Sequence, residues 1–284
     1  MKFTNGIFLL SITAIIWGTA FIFQSSGALL LDNFTFNAVR FTLGGLVLLP
    51  VLIKKKIAIK PHTIKIGIVL GITLFLAANL QQFAMSYTSV SKAGFVTSFY
   101  ILLVPVLAFV FYKKSTNAQI MLSVLIALVG LYFLCDINEN FNLKDSIMLF
   151  SAFFFALQII LIDQYGSTSN VYLLAVTQYF TVGLISLIIS LYNKDFNLAL
   201  IYQAKTSILY TGVLSTGIAY TLQIIGQTKT SPTVASIIMS LESLIACIAG
   251  FLILNEQMTN NEILGSILLF SALIFSQINF KKTT

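Results

Sequence analysis

Ten long apolar runs, separated by short polar breaks, constrain this chain more than any motif does. They cover residues 6–26, 34–53, 64–86, 92–112, 117–135, 145–163, 171–192, 206–227, 232–254 and 262–280. A helix needs about 20 apolar residues to cross a bilayer. Ten such runs use on the order of 200 residues, which leaves short loops and no room for a soluble domain. Only 9% of the 284 residues are charged, against roughly 25% in soluble domains. A soluble fold of this size could not cover its surface with so few charges, whereas a bilayer accepts an apolar exterior. The expected fold is therefore an all-α membrane protein with ten transmembrane helices. A soluble enzyme, a nucleic-acid-binding protein and a secreted disulfide scaffold are disfavoured. Residues 6–23 follow Lys2 but are long for a signal-peptide core, so they are read as the first span.

The net charge of +7 reads as a topology signal, not as a nucleic-acid footprint. With a cytoplasmic N-terminus, the inner loops and tails hold eleven lysines: Lys2, Lys54, Lys55, Lys56, Lys60, Lys65, Lys113, Lys114, Lys229, Lys281 and Lys282. The outer loops hold three, Lys144, Lys194 and Lys205. Both termini are expected in the cytoplasm, in the cell membrane. The second half alone is balanced at three each, so this orientation depends on the ten-span count.

Residues 64–133 align with 206–275 without a gap, at a constant offset of 142. Leu80-Gln81 falls on Leu222-Gln223, Thr88-Ser89 on Thr230-Ser231, Ala93 on Ala235 and Ser98 on Ser240. The expected halves are residues 1–136 and 142–280, five spans each. An odd number of spans per half turns the second copy upside down. Inverted repeats are a common transporter architecture, with the substrate site near the midplane between the halves.

Local patterns in the same order resemble the EamA domain of the drug/metabolite transporter superfamily. Trp17-Gly18-Thr19-Ala20-Phe21 resembles that domain's WG-small-small-F signature, and Arg40-Phe41 its "RF". The stretch Tyr87 to Phe95 resembles its turn between spans 3 and 4. Ser231-Pro232 through Ser240-Leu241-Glu242-Ser243 resembles its span 9. Leu254-Asn255-Glu256 followed by Leu264-Gly265 resembles its closing "GE…G" pattern, with Asn255 in place of the usual glycine. The variant with Lys92 resembles a bacterial subgroup labelled carboxylate, amino acid and amine transporters. The resemblance implies two inverted five-helix repeats and transport of small molecules.

Ionisable groups inside a bilayer are expensive and are usually paired or functional. Glu242 lies near the middle of span 9 among small residues, and the repeat sets it over Tyr100. It reads either as a cavity-facing carboxyl or as one held by a neighbouring Ser or Tyr. Arg40, the chain's only arginine, and Lys92 lie toward the outer side. Each reads as a substrate contact or as a snorkelling cation. Gln81 and Gln223 are repeat mates on either side of the midplane; Asn79 and Gln82 add polar groups to span 3, and Tyr220 shares a helix face with Gln223. Trp17 reads as a cavity wall or a lipid-facing ring. Pro105 frees the carbonyl of Ile101 and reads as a kink in span 4 beside the site or as a hinge. Glu256 reads as structural.

Cys135 and Cys247 form no CxxC, and the one histidine, His62, sits in a lysine-rich loop. No metal site and no cofactor are expected. The absence of a Walker motif excludes ATP as the direct energy source. The leading reading is a secondary transporter of small polar or amphipathic metabolites, such as amino acids, amines, carboxylates or drugs. It is read as an exporter, working as a monomer or homodimer, with proton coupling, uniport and exchange left open. The alternatives are a scaffold or flippase, or an intramembrane enzyme, for which the Asp-rich or Ser-His chemistry is missing.

Overall fold

The computed structural model describes residues 5–113, 117–134, 143–254 and 260–277, and among these every regular element is a helix. In chain order the first half supplies α1 (Asn5–Ala28), α2 (Asn33–Lys54), α3 (Pro61–Met85), α4 (Val90–Thr97), α5 (Tyr100–Tyr112) and α6 (Ala118–Leu134). The second half supplies α7 (Leu143–Tyr165), α8 (Val171–Asn193), α9 (Leu198–Gln203), α10 (Lys205–Leu209), a π-helical segment (Tyr210–Tyr220), α11 (Thr221–Gln227), α12 (Pro232–Met239), α13 (Leu241–Leu254) and α14 (Asn260–Gln277). The polar break at residues 136–139 and the Asn255-Glu256 part of the closing motif lie outside the described residues.

Eight of the resulting rods are long and apolar enough to cross a membrane, counting α4–α5, α10 through α11 and α12–α13 as single rods. Two further apolar helices are shorter, at Ala118–Phe133 and Ile263–Ser276. These two match the fifth and tenth apolar runs. At 1.5 Å per residue, the 17 residues of α6 rise about 26 Å, a little less than a hydrocarbon core of about 30 Å. The outside of the bundle is apolar: Phe111, Leu125, Phe150, Ile188, Ile267 and Phe270 are all exposed. Large contiguous apolar surface is rare on soluble proteins and suits a lipid surrounding.

The caps show why the breaks fall where they do. Asp32 accepts from the N–H groups of Phe34 and Thr35 at the start of α2, and Asn170 from those of Tyr172 and Leu173 at the start of α8. Ser89 accepts from the Lys92 N–H, and Ser231 from the Val234 N–H. These are the expected side chains for the orphan donors of a first turn. Each half also places its helices against the other: α2 packs on α8, α6 on α14, α3 on α7, and α1 on α11 and α13.

Two rods are interrupted at matching serines. The first breaks at Ser98–Phe99, between α4 and α5, and the second at Ser240, between α12 and α13. At both, backbone bonds shorten to i→i+3 spacing: Ile101 N–H to Ser98 O at 3.0 Å, and Ser243 N–H to Ser240 O at 3.2 Å. Hydroxyls bond back to carbonyls around the second break, Ser240 Oγ to Ile237 O at 2.9 Å and Ser243 Oγ to Ser240 O at 2.6 Å. Such back-bonding tightens and bends helices. Pro105 lies inside the unbroken α5, and the interruption precedes it.

Close helix approach depends on small residues. A Cβ on Gly18 would stand 2.6 Å from the carbonyl oxygen of Glu242 and would overlap Ile245. Gly18→Val should therefore separate α1 from α13. The expected loss is about 1–3 kcal/mol of stability, read as a lower midpoint in detergent thermal unfolding.

Candidate functional site

A narrow polar cavity lies where the interrupted rods meet α1, α2, α3 and the π-helical segment. Its empty volume is about 350 Å³. The wall comprises Trp17, Phe21, Gln24, Arg40, Gln81, Thr97, Tyr100, Phe155, Ser215, Tyr220 and Glu242. Trp17, Phe21 and Gln24 recur at four and three residues and so share one face of α1. Thr97 and Tyr100 flank the break at Ser98–Phe99, and Glu242 stands in the first turn after the break at Ser240. Both interruptions thus deliver polar side chains to one point.

Glu242 is buried, and the Tyr100 hydroxyl donates to its Oε1 at 3.0 Å. This joins the two residues that the 142 offset pairs. Arg40 is buried as well. Its Nη1 donates to Gln24 Oε1 at 2.7 Å, and its guanidinium lies 4.8 Å from the Phe41 ring centre and 5.5 Å from that of Phe36. The Arg40 Nε has no hydrogen-bond partner, and no carboxylate pairs with this guanidinium among the described residues. A buried cation held by one neutral acceptor and two rings retains capacity for an anion.

Aromatic and amide groups complete the wall. Trp17 Nε1 donates to the carbonyl of Ser215 at 3.3 Å, and its ring centre lies 4.6 Å from that of Tyr220. Gln81 Nε2 donates to Thr97 Oγ1 at 3.1 Å. The π-helical segment carries Ser215 and Tyr220. Such turns are rare and recur at functional sites.

Six residues singled out in the sequence meet in this cavity: Trp17, Arg40, Gln81, Tyr100, Tyr220 and Glu242. Four others lie outside its wall. Asn79 bridges helices, donating to Ser186 Oγ at 3.1 Å and accepting from Asn37 at 3.0 Å. Gln82 donates to the Gln24 carbonyl at 3.0 Å and so supports the wall from behind. Gln223 donates to Gln158 Oε1 at 3.5 Å, and Lys92 is buried in the first turn of α4. Glu256 falls outside the described residues. Gln24, Thr97 and Ser215 were not singled out. Gln24 closes an apolar run and reads as interfacial, and Ser and Thr are common within membrane helices. The i, i+4, i+7 spacing from Trp17 is the signal that would have found Gln24.

A polar-lined cavity within a multi-pass helical bundle is an arrangement that membrane transporters use. The EamA-like transporter family model matches the chain twice, at residues 4–135 and 142–277, and the chain belongs to that family. An uncharacterized transporter of Archaeoglobus fulgidus is 32% identical over 268 residues, 93% of this chain and 83% of the relative. The uncharacterized transporter YoaV of Bacillus subtilis is 21% identical over 289 residues, 96% of this chain and 97% of the relative. A solved crystal structure has the same fold, with a TM-score of 0.79 at 14% identity over 95% of each chain.

Proposed function

We propose that this multi-pass membrane protein is a secondary transporter of small zwitterionic or amphipathic metabolites, amino acids and related amines and carboxylates foremost. One observation carries the reading: Arg40 and Glu242 face one narrow cavity, both buried, with no ion pair between them. A guanidinium binds a carboxylate in bidentate fashion, and a carboxylate binds an ammonium. An amino acid carries both groups. Trp17, Tyr100 and Tyr220 supply rings for its apolar part. Gln24, Gln81 and Ser215 offer neutral hydrogen bonds.

In this reading the ten apolar helices form two inverted five-helix halves, 1–136 and 142–280, working by alternating access about the cavity. The chain sits in the cell membrane with both termini in the cytoplasm and works as an exporter. Glu242 exchanges a proton for the substrate's ammonium. Flux of radiolabelled amino acids, amines and carboxylates into proteoliposomes tests the reading. Saturable uptake of at least one class supports it, and no uptake of any contradicts it.

Topology is tested separately. Ile59 and Tyr192 are both exposed. In a chain with Cys135 and Cys247 changed to Ala, Ile59→Cys should label only from the cytoplasm and Tyr192→Cys only from outside. Labelling of both from one side contradicts the ten-span arrangement.

A further inference from the structure

The repeat relates the wall of the cavity to a second set of buried amides. Asp32 and Asn170 cap α2 and α8 alike, and they are 138 residues apart. That register sets Arg40-Phe41 over Gln178-Tyr179. In the third spans the offset of 142 sets Gln81 over Gln223. The outer trio is Gln24, Arg40 and Gln81, from α1, α2 and α3. Its counterpart is Gln158, Gln178 and Gln223, from α7, α8 and α11. Gln158 falls over Ala20, one turn from Gln24 on the same face of α1.

The inner trio is loosely bonded for a purely structural device. Its three side chains are buried. Gln158 Nε2 donates to Gln178 Oε1 at 3.4 Å and Gln223 Nε2 to Gln158 Oε1 at 3.5 Å, both at the long limit of a hydrogen bond. Gln223 Oε1 has no partner among the described residues. Under-bonded amides are costly in an apolar bundle, where leucines would pack without penalty.

Helix α11 connects the trio to both ends. Gln223 and Gln227 of α11 are four residues apart and share a face, and Tyr220, the N-cap residue of α11, stands three residues before Gln223. Tyr220 belongs to the cavity wall. Gln227 belongs to a wide cleft of about 1360 Å³ empty volume, lined also by Asn117, Asp163 and Lys229. The lysine bias puts that cleft on the cytoplasmic side. Gln227 Oε1 also lacks a partner among the described residues.

We infer that Gln158, Gln178 and Gln223 form a second substrate station, between Glu242 and the cytoplasmic cleft. It takes the carboxylate-bearing end of the substrate that Arg40 takes on the outer side. Primary amides both donate and accept. They therefore coordinate a carboxylate without the guanidinium's charge and release it more readily. The inference rests on the transport reading above, and its first test does not require transport.

Single cysteines replace Gln227, Gln223 and Gln158 in a chain with Cys135 and Cys247 changed to Ala, with Ala127→Cys as a buried control. The probe is 2-(trimethylammonium)ethyl methanethiosulfonate, applied to inside-out and right-side-out vesicles. Modification at all three positions in inside-out vesicles, with Ala127→Cys silent, is expected. Modification of Gln227→Cys alone overturns the station, because the cleft is then blind and the trio a fixed seam. The second test is Gln178→Arg, compared with wild type at equal membrane abundance on the amino acid that proteoliposome flux identifies. It rebuilds the outer trio inside. The half-saturation concentration from the cytoplasmic face should fall about tenfold, with a slower maximal rate. Unchanged kinetics from that face overturn the station, and labelling without flux for any substrate contradicts the transport reading alone.

Discussion

Glu242→Gln is expected to yield a folded, membrane-inserted protein that carries amine-bearing substrates poorly and no longer responds to a pH gradient. The amide keeps the shape and can still accept the Tyr100 hydrogen bond, which spans 3.0 Å in the wild type. What it removes is the charge. A hydrogen bond between charged groups contributes roughly 1.5–3 kcal/mol, or on the order of 10- to 100-fold in affinity. In the wild type, acidification should weaken substrate binding, because a protonated carboxyl no longer attracts an ammonium. The Gln variant mimics the protonated state at every pH, so its profile should be flat. Glu242→Asp keeps the charge one methylene further back and should be partly active. Flux against pH in proteoliposomes is the measurement. Coinciding profiles and rates for wild type and Glu242→Gln would make Glu242 structural.

Arg40→Gln should produce a loss of similar size for carboxylate-bearing substrates. The guanidinium holds Gln24 with Nη1 and leaves Nε unpartnered beside the cavity. Gln at this position loses both the charge and the planar fork. The half-saturation concentration of an amino acid should rise on the order of 10- to 100-fold, with membrane abundance unchanged. Arg40→Lys keeps the charge without the fork and should fall between the two. Lys92→Gln is the useful comparison. Its side chain lies outside the cavity wall, so it should shift the same constant far less.

The helical fold was legible because the bilayer imposes a length on every apolar run, and the breaks carry capping residues such as Asp32, Ser89, Asn170 and Ser231. The Tyr100–Glu242 hydrogen bond was legible too, since a constant offset of 142 pairs the two positions. Other features were hidden for physical reasons. The register changes from 142 to 138 in the first two spans of each half, so the match of Arg40 with Gln178 does not appear in a single gapless alignment. The break before Tyr100 has no sequence mark of its own: Pro105 lies beyond it inside α5, and the matching break carries Ser240 and no proline. Ser215 reaches the cavity through an eleven-residue π-helical segment, and a 3.6-residue period misplaces the faces of such a segment. Asn79 stood out as a polar residue in an apolar span, yet it bridges helices through Asn37 and Ser186.

The central claim is that Arg40 and Glu242 divide one small substrate between them, carboxylate to the first and ammonium to the second. The most direct measurement compares three ligands of equal side chain: an amino acid, the amine lacking its carboxylate, and the acid lacking its amine. Each competes for uptake of the amino acid in proteoliposomes bearing wild type, Arg40→Gln or Glu242→Gln. Arg40→Gln should weaken the amino acid and the acid but leave the amine unchanged. Glu242→Gln should weaken the amino acid and the amine but leave the acid unchanged. Equal losses for all three ligands in both variants would contradict the division and reduce Arg40 and Glu242 to supports of the cavity.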